Sequence, residues 1–192
     1  MNYRILRLAG FFGILSPLVG FGMVALSISF APWFSWTGNA LSDLGAEGLE
    51  SVIFNSGLPM TGALMMMFST GLFEMSKKNI VGTIGSVLHL LAAFFLVAIG
   101  VANINIRPWH LYVSVGFFVT LPLCLITIGV FHYMGKMKFF TLIAWAMALL
   151  AGVIWIYPWK AVAIPEALSA AFVSVWQISL GVWMFTRKSG EL

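Results

Sequence analysis

The chain has 192 residues, of which 61% are hydrophobic and only 8% charged. A soluble domain carries about 25% charged residues, so composition excludes that class. The net charge of +4 is no nucleic-acid signal, because the basic residues form no dense patch and sit between apolar runs.

The length suits about six spans of roughly 20 residues with short loops. The first apolar run, 8–30, is longer than the h-region of a signal peptide and lacks a clear small-residue cleavage site, so it reads as a retained span. Ser16-Pro17 inside it predicts a kink. A long loop follows. The second span is expected at 52–73, with Pro59 inside it, and Lys77 and Lys78 mark the next turn. The third covers 80–103. Arg107, Pro108, Trp109 and His110 mark a turn, and the fourth span covers 111–133 around Pro122. The fifth is expected at 139–157 and the sixth at 165–185. The expectation is therefore all-α: a single polytopic six-helix transmembrane bundle over residues 1–192.

The positive-inside rule orients it. Arg4, Arg7, Lys77, Lys78, Lys136, Lys138, Arg187 and Lys188 fall on one side. Only Arg107 and Lys160 fall on the other. Both termini are expected in the cytoplasm, with the protein multi-pass in the cell membrane. Pro32-Trp33, Pro108-Trp109 and Pro158-Trp159 recur in the outer turns, where proline ends helices and tryptophan favours the interface.

Two faces are legible. Gly82, Ser86, His89 and Ala93 follow helical spacing with Gly85 beside them, a small-residue face that packs on another helix. Glu166, Ala170, Val173, Gln177 and Gly181 form a partly polar stripe that should face the bundle rather than lipid.

No shared metal site is expected. His110 and His132 lie at opposite ends of one helix, about 33 Å apart at 1.5 Å per residue, while zinc needs ligands about 2 Å from one point. His89 reads as a buried residue bonded across helices, and His132 as interfacial. Cys124 lies in an apolar run and reads as a small packing residue. No cofactor motif is present.

The first outer loop concentrates the polar residues. Asp43, Glu47 and Glu50 are three of the six acidic residues. Glu47, Glu50 and Glu166 are placed to bind a cation or to pair with Arg107 and Lys160. Ser42, Asp43 and His110 are the one Ser/His/Asp set, but Ser42 and Asp43 are adjacent, which makes a histidine bridge between them awkward. The simpler expectation is a short interfacial helix near 40–44 capped by Asn39, with Leu41 and Leu44 entering the apolar zone. Asp43 and His110 are expected in one hydrogen-bonded cluster, with Asn39 or Asn55.

The run Asn39-Ala40-Leu41-Ser42-Asp43-Leu44-Gly45, then Phe54-Asn55-Ser56-Gly57, then a histidine opening the fourth span, resembles a known family. It is the uncharacterised prokaryotic, largely archaeal, six-span membrane protein family known as domain of unknown function 998. The resemblance covers nearly the whole chain, and Asn39, Ser42, Asp43, Gly45, Asn55 and His110 fall on its motif positions. It implies six helices and a membrane location, and no activity. Alkaline ceramidases also use serine, aspartate and histidines, but this chain lacks their span count and histidine grouping.

The candidate ligand-binding residues are Asn39, Ser42, Asp43, Asn55, His110 and Glu166. The leading reading is a membrane protein that binds or moves a small molecule or lipid through an outward-facing polar pocket. One competitor is a membrane-embedded enzyme acting on a lipid headgroup, with Asp43 and His110 as acid and base. The other is a structural or assembly subunit without a ligand. The expected partners are the bilayer and such a ligand, with no nucleic acid; no feature of the sequence sets an oligomeric state.

Overall fold

In the computed structural model, residues 2–187 are described, so Lys188 lies outside them. Six helices are long and apolar enough to cross a membrane. They are α1 (Tyr3–Ser29), α2 (Gly48–Ser76), α3 (Ile80–Val101), α4 (Trp109–Met134), α5 (Lys138–Val153) and α6 (Ala163–Thr186). Two short 3-10 helices, Leu41–Gly45 and Ile154–Ile156, complete the elements. No strand occurs among the described residues.

Polar side chains cap two of the helix starts, and the first of them carries α1 past its apolar segment. The Asn2 side chain accepts from the Arg4 and Ile5 N–H groups at the start of α1. Asn79 accepts from Gly82 N–H at 3.0 Å to open α3. Each supplies an acceptor to orphan donors of a first turn. The fifth α-helix instead stops early, at Val153, and finishes in the tighter 3-10 turn.

Each helix packs against its neighbours in the chain, and α6 closes back on α1. The result is a closed up-and-down ring of six. One end carries Arg4, Arg7, Lys77, Lys78, Lys136, Lys138 and Arg187 and is termed the basic end; the other carries the 30–47 loop and is termed the lid end. Phe68, Leu72, Ala92, Leu125, Ile128, Trp176, Leu180 and Met184 fill the middle.

Small residues set how closely the helices approach. A Cβ at Gly10 of α1 would lie 2.5 Å from the Gly181 carbonyl oxygen of α6. A Cβ at Gly71 of α2 would lie 2.6 Å from that of Ala9. The basic halves of α1 and α6 are therefore pinned backbone to backbone, and Gly71 seats α2 closely on the Ala9 methyl of α1. The α3 face behaves as its spacing predicts: Gly82, Gly85, Ser86, His89 and Ala93 are all buried. Gly82 abuts Phe131 and Gly85 abuts Ile128 of α4. Cys124 is fully buried, its thiol 3.4 Å from the Gly85 carbonyl.

His132 is not interfacial. It is 1% exposed, between the rings of Phe131 and Phe140. The start of α5 folds over the end of α4 and covers it.

Candidate functional site

Towards the lid end, beyond the Gly10–Gly181 crossing, α1 and α6 each present residues to a common space. Between them the ring encloses a cavity of about 220 Å³. Pro17, Gly20, Phe21 and Val24 line it from α1, and Glu166, Ala170, Val173, Ser174 and Gln177 from α6. Thr61 and Met65 of α2, Leu96 of α3 and Ser114 and Phe117 of α4 add to the wall. Trp36, Leu41 and Ser42 form the roof. Phe21 and Trp36 are 40% and 44% exposed, so the cavity reaches the surface beside them.

The floor is a buried polar network across four helices. Pro17 has no N–H, so the Gly13 carbonyl one turn earlier loses its main-chain donor. Gln177 Nε2 donates to that carbonyl at 3.3 Å and also to the Ser16 hydroxyl. A carbonyl only accepts, so the amide orientation is fixed and Gln177 Oε1 faces His89. His89 Nε2 therefore carries a hydrogen and donates to Oε1 at 3.3 Å. In that neutral tautomer Nδ1 is an acceptor 2.8 Å from the Ser69 hydroxyl, whose one hydrogen is shared with the Met65 carbonyl at 3.0 Å. The network re-satisfies the backbone that a membrane-buried proline leaves open.

This yields a prediction with a built-in rescue. Gln177→Leu strands the Gly13 carbonyl and the His89 N–H, and should reduce stability by about 1–2 kcal/mol, since buried unpaired groups and hydrogen bonds within membranes both fall in that range. Pro17→Ala returns an N–H to Gly13, so the double variant should recover part of the loss. Thermal unfolding of the three variants checks this. Equal losses in the single and double variants would show that Gln177 serves some other purpose.

The roof is built from local turns tied to neighbouring helices. Asp43 Oδ2 accepts from Ala40 N–H at 2.9 Å and from Asn39 Nδ2 at 3.2 Å. Asn39 is not the cap expected of it. Its Oδ1 accepts from Ser35 N–H at 2.9 Å, which closes the preceding turn and passes the cap position to Ala40. The Asn39 carbonyl accepts from Ala163 N–H at the start of α6. Asn55 Nδ2 donates to the Gly45 carbonyl at 2.9 Å. Asn105 Nδ2 donates to the Ala46 carbonyl at 2.9 Å. Trp33 Nε1 donates to Glu50 at 3.0 Å. Leu44, fully buried, packs with Ala31 and Phe54 beneath.

The candidate residues thus divide by task. Ser42 and Glu166 line the cavity. Asn39, Asp43 and Asn55 hold the lid. His110 stands apart from Asp43: no hydrogen bond joins them among the described residues. His110 Nδ1 donates to the Ala102 carbonyl at 2.8 Å, and Nε2 faces the Ser114 hydroxyl at 3.4 Å. The end of α3 turns over the start of α4, so the ring is claimed by a nearby backbone oxygen. Glu166 and Glu50 likewise do not pair with Arg107 or Lys160. Glu166 Oε2 accepts from Leu41 N–H at 2.7 Å. Among the described residues no three His, Cys, Asp or Glu side chains converge as a metal site would require.

Ser16, Trp36, Thr61, Ser114 and Ser174 also line the site, and no candidate reading of the sequence included them. The α6 stripe was the available signal. Glu166 and Gln177 are eleven residues apart, three turns and about 16 Å along a helix, and they mark the roof and the floor.

A model of the family described as protein of unknown function (DUF998) matches residues 14–183. No curated protein and no solved structure matches the chain.

Proposed function

The chain belongs to the DUF998 family, whose function is not established, and from the geometry of its lid end we propose that it binds a small lipid-derived molecule inside the bundle. The single observation that supports this reading is the cavity of about 220 Å³ between α1 and α6. Ligand sites are concave and mostly apolar, with a few placed polar groups. This cavity has that composition, and its volume of about 220 Å³ lies below the usual range of about 300–1,000 Å³ for drug-sized ligands. A single chain suits it better than a whole diacyl lipid.

Its surroundings favour entry from the side. The roof is stitched to α2, to α6 and to the α3–α4 turn by hydrogen bonds. The exposed residues at the mouth, Phe21 and Trp36, are aromatic and apolar. We infer that the ligand enters from the bilayer between the halves of α1 and α6 nearest the lid. The side on which the basic residues collect supports a lid end facing outward.

The test is native mass spectrometry of the protein released from lipid nanodiscs, titrated with a single-chain dodecyl amphiphile. The expected result is one saturable adduct per chain. Adducts that multiply without saturation would mark non-specific lipid contact and contradict the reading.

A further inference from the structure

The polar groups at the two ends of the cavity are not in the same state. At the floor, Gln177 is fully engaged. Both amide hydrogens have protein acceptors, and its oxygen takes the His89 N–H. The Thr61 and Ser174 hydroxyls donate to carbonyls of their own helices, at 2.8 and 2.7 Å. At the roof, Glu166 Oε2 holds Leu41 N–H, but Oε1 has no partner among the described residues. The Ser42 hydroxyl, in a residue 9% exposed, has none either. Among the lining side chains named here, the acceptor left without a donor is therefore at the roof, on Glu166.

The charge there has one sign. The consecutive N–H groups of Ala40 and Leu41 hold the carboxylates of Asp43 and Glu166 respectively. Two carboxylates thus share one turn. No lysine or arginine pairs with either among the described residues; the ion pair seen there is Lys77–Glu74, at the basic end. The positive end of α6 eases the charge on Glu166, but an anionic head would still meet two carboxylates with no counter-charge in a site partly removed from water.

We propose that the ligand is a single-chain amphiphile with a cationic, hydrogen-bond-donating head such as a primary amine. The head rests on Glu166 Oε1 and Ser42. The apolar chain runs inward past Ala170 and Val173 and ends above Gln177, whose own amide is fully engaged. This rests on the reading of the cavity as a ligand site and adds the class and orientation of the ligand.

The test uses three dodecyl probes with a terminal diazirine and an amine, an alcohol or a carboxylate as head. Each is photolysed with the full chain in nanodiscs of phosphatidylcholine, and adducts are mapped by peptide mass spectrometry. The amine should label residues near Val173 and Gln177 at least about tenfold more than the carboxylate, since a charge-assisted hydrogen bond supplies that factor. Glu166→Gln, which keeps an oxygen for Leu41 N–H, should remove the preference for the amine over the carboxylate. Equal labelling of the cavity by all three probes on the wild-type protein would overturn the ligand class and leave the ligand site standing. No cavity labelling by any probe would overturn both. Should Glu166→Gln fail to fold, the wild-type ratio of amine to carboxylate labelling decides alone.

Discussion

Replacing Gly181 by valine is expected to destabilise the protein by about 3 kcal/mol, the upper part of the range for forcing extra carbon into a packed interface. A Cβ at Gly181 would lie 2.9 Å from the Gly10 carbonyl oxygen and 3.2 Å from Gly13 and Ile14 backbone atoms. None of these belongs to a flexible side chain, so relief requires α1 and α6 to move apart. That movement would also pull Gln177 away from Gly13 and Ser16, because all lie on the same two helices. Gly22→Ala is the contrast. Nothing lies within 4 Å of a Cβ there, so alanine should stabilise by about 0.5–1 kcal/mol through helix propensity alone. Unfolding in mixed micelles measures both. If valine at position 181 were tolerated as well as alanine at position 22, the ring would not be pinned at this crossing.

Ala170→Trp is expected to abolish ligand binding, by about a hundredfold or more, without loss of stability. Ala170 lines the cavity midway between Glu166 and Gln177. An indole there occupies the space a chain would need. A buried void carries a stability penalty that grows with its volume, so filling it should leave the melting temperature unchanged or raise it. The combination is diagnostic. A substitution in a packed wall would lower stability, and one on a lipid-facing surface would leave binding intact. The dodecyl titration by native mass spectrometry and a thermal melt read the two quantities. An undiminished saturable adduct in Ala170→Trp would place the ligand elsewhere.

The sequence made the helical faces legible because their information is local. His89 and its small neighbours repeat every three or four residues, and burial follows. Glu166, Ala170, Val173 and Gln177 do the same and line one cavity. The short helix in the first loop was readable from Leu41 and Leu44, since Leu44 has to be buried somewhere. Its cap was not. Asn39 suits a cap, but Ser35 N–H claims its side chain and the cap position passes to Ala40.

Long-range partners were harder to see. Gln177 answers a carbonyl freed by Pro17, across 164 residues of sequence. Proline in a span announces an orphan acceptor, but not which helix will supply the donor. The expectation for Asp43 and His110 rested on equal depth, and depth alone does not bring side chains together. Each found a backbone partner nearby first, Ala40 N–H for Asp43 and the Ala102 carbonyl for His110. Local backbone groups are close at every stage of folding and need no further ordering of the chain. His132 was misread for a related reason: a place near a helix end says nothing about what the next helix covers.

The most direct measurement is an electron cryo-microscopy map of the protein purified from its own membrane in nanodiscs. The account predicts elongated density along α6, from Ser42 and Glu166 at the roof to Val173 above Gln177, with the 41–45 helix closed over it. A map in which α1 and α6 touch along their whole length, leaving no space between Glu166 and Gln177, would contradict it.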